Sequence, residues 1–96
     1  MNVLLLENID SAAVKVLSEN GFNVESFPHT LSQNELITKI NNDNISIIGI
    51  RSKTKLNETV LRSCSSLEII GCFCIGTDQV NLKVATELGL AVFNSP

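Results

Sequence analysis

The strongest constraint on this chain is its rhythm. Five short apolar runs (Val3–Leu6, Phe22–Phe27, Ile45–Ile50, Leu67–Phe73 and Leu90–Phe93) alternate with stretches in which apolar residues recur at helical spacing. The first such stretch carries Ile9, Ala13, Val16 and Leu17, at i, i+4, i+7 and i+8. The second carries Leu36, Ile37 and Ile40 behind Ser32-Gln33-Asn34-Glu35, a capping-box pattern. The third carries Val60, Leu61 and Cys64 behind Asn57, and the fourth Val84, Ala85 and Leu88 behind Asn81, with both asparagines placed to cap. Asn20-Gly21, Pro28, Asn41-Asn42-Asp43-Asn44 and Gly89 separate the units. Continuous apolar strands divided by helices predict an α/β fold: a flavodoxin-like or Rossmann-like parallel sheet with helices on both faces and right-handed crossovers.

Ninety-six residues hold one domain and one core. Ten acidic against seven basic residues, net −3, with no Trp or Tyr, argue against nucleic acid, which asks for a basic face and stacking platforms. The apolar runs are too short to cross a membrane, and Val3–Leu6 has neither the basic flank nor the cleavage site of a signal peptide. Three cysteines, two of them in Cys72-x-Cys74, make no disulfide framework. On one strand that pair would share a face, and bridging it would strain the bond. The expected compartment is the reducing cytosol. The cysteines also lack the second Cys/His pair that zinc needs, so no metal is expected.

Ligands in such a sheet bind beyond the carboxyl ends of the strands. That selects Glu7-Asn8-Ile9-Asp10, Arg51-Ser52-Lys53-Thr54-Lys55 and Cys74-Ile75-Gly76-Thr77-Asp78. Three of the seven basic residues fall within five positions of the second segment, among two hydroxyls. Arg51 offers a forked donor for carboxylate or phosphate. Gly76 lets backbone N–H groups approach an anion closely. Strands three and four, if parallel neighbours, put both loops on one edge, and an anionic small molecule between them is the expectation. Ordinary solvated loops would show the same composition. His29 stands alone in a turn and is expected to be solvated; Cys64 is expected in the core.

The five glycines form no G-x-G-x-x-G, and there is no P-loop, no G-x-S-x-G and no His–carboxylate pair placed for base catalysis. Arg51-Ser52 stands where a receiver domain would need an aspartate. Glu7-Asn8-Ile9-Asp10 stands where a flavodoxin would need its phosphate loop.

From residue 45 onward the residues become specific. Ile48-Gly49-Ile50-Arg51-Ser52-Lys53-Thr54, then Ile70-Gly71-Cys72-Phe73-Cys74-Ile75-Gly76-Thr77-Asp78-Gln79-Val80-Asn81-Leu82, then Gly89-Leu90-Ala91-Val92-Phe93-Asn94-Ser95-Pro96, resemble the D-2-hydroxyacid dehydrogenase family, and within it the branch acting on a phosphorylated hydroxy acid. The resemblance extends more weakly through residue 44. It implies that residues 1–96 are the N-terminal part of the substrate-binding domain. An NAD-binding Rossmann domain would follow Asn94-Ser95-Pro96, and the chain would return from it to complete the flavodoxin-like sheet. It implies that the backbone N–H groups of Ile75 and Gly76 hold the substrate carboxylate. Arg51 and Ser52 would bind the substrate's anionic groups, with Lys53 as a second basic residue. Cys72, Cys74 and Asn81 depart from the commoner residues of the family's pattern. The catalytic Arg, Glu and His and the NAD-binding glycine loop would all lie after residue 96, so these 96 residues alone are expected to be inactive, the full-length parent being a homo-oligomer. The rival expectations are a different hydroxy acid as substrate, or a free-standing anion-binding or interaction module.

Overall fold

A computed structural model describes residues 1–94 of the chain. The elements run β1 (Asn2–Leu5), α1 (Ser11–Glu19), β2 (Asn23–Ser26), α2 (Gln33–Asn42), β3 (Ile45–Ile50), α3 (Glu58–Ser63), β4 (Ile69–Cys72), α4 (Leu82–Glu87) and β5 (Ala91–Asn94). All five strands are parallel, in the order β2-β1-β3-β4-β5. The chain therefore steps one way from β1 to β2, then reverses past β1 to β3 and beyond. Right-handed crossovers put the helix of the first step on one face and those of the later steps on the other.

The core divides accordingly. On one face, Leu4, Ile48, Ile50, Ile70 and Cys72 pack beneath Leu36, Ile40, Val60, Leu61, Val84 and Ala85 of α2, α3 and α4. On the other, Val3, Leu5 and Ile9 meet Ala13, Val14 and Leu17 of α1. A register shift between β1 and β3 opposite Ser46 lets Ile45 and Ile48 serve the same face, although they are three residues apart. No helix among the described residues is long and apolar enough to cross a membrane.

The caps explain why the helices begin where they do. Ser32 and Glu35 form the expected reciprocal capping box, and the Asn57 and Asn81 side chains accept the N–H of Val60 and Val84. The first helix departs from expectation. Glu7 and Asn8 take left-handed φ of 68° and 57°, which turns the chain before Asp10 caps the helix by accepting the Ala12 N–H. Ile9 is therefore buried outside α1, and Val16, expected on its apolar stripe, is 56% exposed. Leu88 likewise is not part of a buried stripe: it is the exposed C-cap of α4, just before Gly89 at φ 74°. Cys64 is buried as expected, as the residue that ends α3. Cys72 and Cys74 do not share a strand, because β4 stops at Cys72; both thiols are free. Burial pushes the thiols of Cys64 and Cys72 up, which keeps them neutral.

Candidate functional site

The reversal in strand order falls between β1 and β3, and the loops leaving their carboxyl ends meet there. Such a switch point opens a crevice in any doubly wound sheet. Here it is organised by one carboxylate. Glu7 is 8% exposed, and its side chain accepts the backbone N–H of Arg51 (2.9 Å), Lys53 (2.9 Å) and Thr54 (3.0 Å). Burial pushes the Glu7 carboxyl up, but the hydrogen bonds it accepts from the Arg51–Thr54 loop outweigh it and hold the pKa below the usual value. The left-handed turn at Glu7 and Asn8 aims that side chain under the β3 loop. The Arg51–Thr54 loop thus folds around an internal anion, which leaves its own cationic side chains outside.

Those side chains are free. Lys15, Lys39 and Arg62 make ion pairs, whereas Arg51, Lys53 and Lys55 make none among the described residues. Arg51, Ser52 and Lys53 form one wall of a cleft of about 470 Å³ that His29 and Thr30, from the loop after β2, also line. His29 is exposed, as expected, yet it is held in place. Its ring stacks on Phe27 with centroids 5.5 Å apart, and Nδ1 lies 2.9 Å from the Thr30 carbonyl. Arg51 also borders a second concavity of about 600 Å³, with Asn8, Asp10 and Phe73.

The neighbouring loop, after β4, carries Ile75 and Gly76. They line neither concavity, and the Ile75 side chain is 87% exposed, so what this pair offers inward is backbone. Asn94 Nδ2 donates to the Ile75 carbonyl (2.9 Å), and Cys74 Sγ donates to the Gly76 carbonyl (3.1 Å). In a trans peptide the Gly76 N–H points opposite to the Ile75 carbonyl it is bonded beside. Among the described residues neither the Ile75 nor the Gly76 N–H is used in a hydrogen bond. The Gly76 N–H thus faces away from the Asn94 amide that holds the loop, and both N–H groups are left to an outside acceptor such as an anion. Ser95 and Pro96, which complete the last stretch singled out in the sequence, lie outside the described residues.

The two loops are stitched together. A parallel bridge joins Leu56 to Val80, with Leu56 N–H donating to the Gln79 carbonyl (2.8 Å) and Asn81 N–H to the Leu56 carbonyl (3.0 Å). Neither Glu7 nor Gln79 was individually singled out in the sequence. A glutamate directly after a buried strand, in a loop rich in turn formers, was the available signal for the first. The second was marked only by standing within the Ile70–Leu82 run that carries the family resemblance.

A family model for the D-isomer specific 2-hydroxyacid dehydrogenase, catalytic domain, matches residues 3–96. The chain belongs to this family. It is 51% identical over 96 residues to D-3-phosphoglycerate dehydrogenase 2 of Saccharomyces cerevisiae, covering 100% of this chain and 20% of that one. It is 39% identical over 94 residues to D-3-phosphoglycerate dehydrogenase of Escherichia coli, covering 97% of this chain and 22% of that one. The chain thus spans about a fifth of the length of these relatives. The fold is similar to that of NAD+-bound 3-phosphoglycerate dehydrogenase from Entamoeba histolytica, with a TM-score of 0.84 and 20% identity over 100% of this chain and 33% of that one.

Proposed function

We propose that these residues are the N-terminal part of the substrate-binding domain of an NAD-dependent D-3-phosphoglycerate dehydrogenase. The whole enzyme would oxidise 3-phosphoglycerate to 3-phosphohydroxypyruvate, opening serine biosynthesis in the cytosol, as a homo-oligomer. The observation that carries this reading is the pair of neighbouring loops after β3 and β4: unpaired Arg51 and Lys53 line the cleft on one, and the other carries the free N–H groups of Ile75 and Gly76. The 51% identity to a D-3-phosphoglycerate dehydrogenase across the same residues supports the substrate. A substrate bearing a carboxylate at one end and a phosphate at the other suits two separate donor groups. In this assignment the Ile75 and Gly76 N–H groups hold the carboxylate, and Arg51, Ser52 and Lys53 hold the anionic groups.

NAD does not fit the residues present. In a dinucleotide-binding sheet the pyrophosphate rests on the loop after the first strand. That loop here carries Glu7, whose charge is spent on the β3 loop, and Asp10, whose side chain caps α1. Both would repel a phosphate. The cofactor, and the general base that takes the hydroxyl proton, are assigned to chain outside these 96 residues, whose own part is to bind and orient the acid.

The structure also bears on the proposed domain. On the α1 side of the sheet, Phe73 is half-buried and Phe93 is 51% exposed, and no helix of the described residues packs over β4 and β5 there. A segment returning from beyond residue 96 would cover this surface. The deciding experiment is NADH formation by the full-length protein supplied with NAD and 3-phosphoglycerate, with D-lactate in parallel. Turnover of 3-phosphoglycerate alone is expected. Preference for D-lactate would overturn the substrate, and NADH formation by residues 1–96 alone would overturn the division of labour.

A further inference from the structure

The two donor groups stand on different loops, after β3 and after β4, and the side chain that joins those loops has no assigned role. Gln79 is 7% exposed and sits at the end of the β4 loop. Its Nε2 lies 2.7 Å from the Arg51 carbonyl and 3.0 Å from Cys74 Sγ. A carbonyl only accepts, so it is the amide NH2 that faces Arg51, and both its hydrogens are engaged. The Cys74 sulfur accepts one of them and spends its own proton on the Gly76 carbonyl, 3.1 Å away. Every donor in this series finds an acceptor, from Arg51 through Gln79 and Cys74 to Gly76. The series ends, at both sides, on a backbone carbonyl, that of Arg51 on one loop and that of Gly76 on the other. Such a linkage sets the spacing and tilt of the two loops without touching the ligand.

We propose that Gln79, acting through Cys74, is a positioning residue that holds the Arg51 loop and the Ile75–Gly76 loop in register for a substrate carrying two anionic groups. The proposal rests on the substrate reading given above. The loops are already joined by the Leu56–Val80 bridge and its backbone hydrogen bonds, so loss of the amide does not separate them. It lets them rock. An interaction that grips the substrate equally in the ground and transition states affects KM while leaving kcat in place.

The test uses the full-length enzyme with Gln79→Met, which keeps the length of the side chain but neither donates nor accepts strongly, and Gln79→Glu, which sets a carboxylate against the Arg51 carbonyl. Either variant is expected to raise KM for 3-phosphoglycerate about tenfold, with kcat within about threefold of wild type and KM for NAD unchanged. Cys74→Ser, which still accepts and donates, is expected to retain most of the affinity, whereas Cys74→Ala behaves like Gln79→Met. An unchanged KM in Gln79→Met overturns the proposal. So does a joint fall in kcat, thermal midpoint and active fraction with KM intact, which marks a merely structural residue. If the wild type oxidises D-lactate and not 3-phosphoglycerate, the substrate reading falls, and the same comparison with D-lactate decides the role of Gln79 separately. A wild type that oxidises neither overturns both.

Discussion

The two faces of the sheet are built from the same strands and finished differently. Ile70 and its neighbour Ile69 point to opposite sides of β4. Ile70 is completely buried beneath three helices, whereas Ile69 is only half-buried on the side that carries α1 alone. Adjacent residues of identical chemistry thus differ in burial solely through chain topology. The reversal after β2 sends α1 to one face and the next three helices to the other. Gly49 and Gly71 extend the contrast. A Cβ on Gly49 would meet Leu5 at 2.5 Å and Phe73 at 3.0 Å, and one on Gly71 would meet Phe93 at 3.3 Å. The second face is therefore surfaced by phenylalanine rings lying across glycine backbone, in place of a second helix.

Several substitutions would break or sharpen this contrast. Ile70→Ala is expected to cost about 3–4 kcal/mol by urea denaturation of residues 1–96, and Ile69→Ala about 1 kcal/mol. In the full-length protein the difference should shrink, because chain covering the second face would bury Ile69. Equal costs in the short chain would show that the two faces are equally closed.

Glu7→Gln is next in size, at about 2–3 kcal/mol, because an amide NH2 would face backbone N–H groups that now meet a carboxylate oxygen. The same carboxylate makes stability pH-dependent. Its folded pKa is lowered, so its contribution is fully present above the ordinary glutamate value and is lost as pH falls through the lowered folded value. Unfolding midpoints measured down the acid limb should therefore fall more steeply for the wild type than for Glu7→Gln.

Phe93→Ser is expected to shift stability by about 0.5 kcal/mol or less, since the ring is half exposed, yet to reduce self-association of residues 1–96 in size-exclusion chromatography. Val16→Lys, on the solvent side of α1, is the smallest: no change beyond about 0.5 kcal/mol is expected in the same denaturation experiment.

The element order, the parallel sheet and three of the four helix caps were legible in the residues. Each rests on local physics: apolar runs flanked by turn formers, and side chains that satisfy N–H groups two or three residues on. The exception in α1 is instructive. Helical spacing from Ile9 through Val16 was present, but a left-handed turn at two non-glycine residues shifted where the helix began and so rotated its buried stripe. At the candidate site, the Arg51–Lys53 cluster and the Ile75–Gly76 pair could be placed on neighbouring loops, because the strand pattern and the carboxyl-end rule are local and topological respectively.

What joins them could not. Glu7 reaches residues 44 to 47 positions away, and Gln79 reaches one 28 positions away. Spacing along a chain carries no signal of such distances. By itself the sequence determined a parallel α/β sheet with a cluster of basic residues at one end, since periodicity, capping and charge are properties of neighbours. Only the tertiary structure decided which carboxylate folds the cationic loop outward, which amide holds the second loop beside it, and which face of the sheet is left open. Those depend on where the strand order reverses, and that is a property of the whole chain.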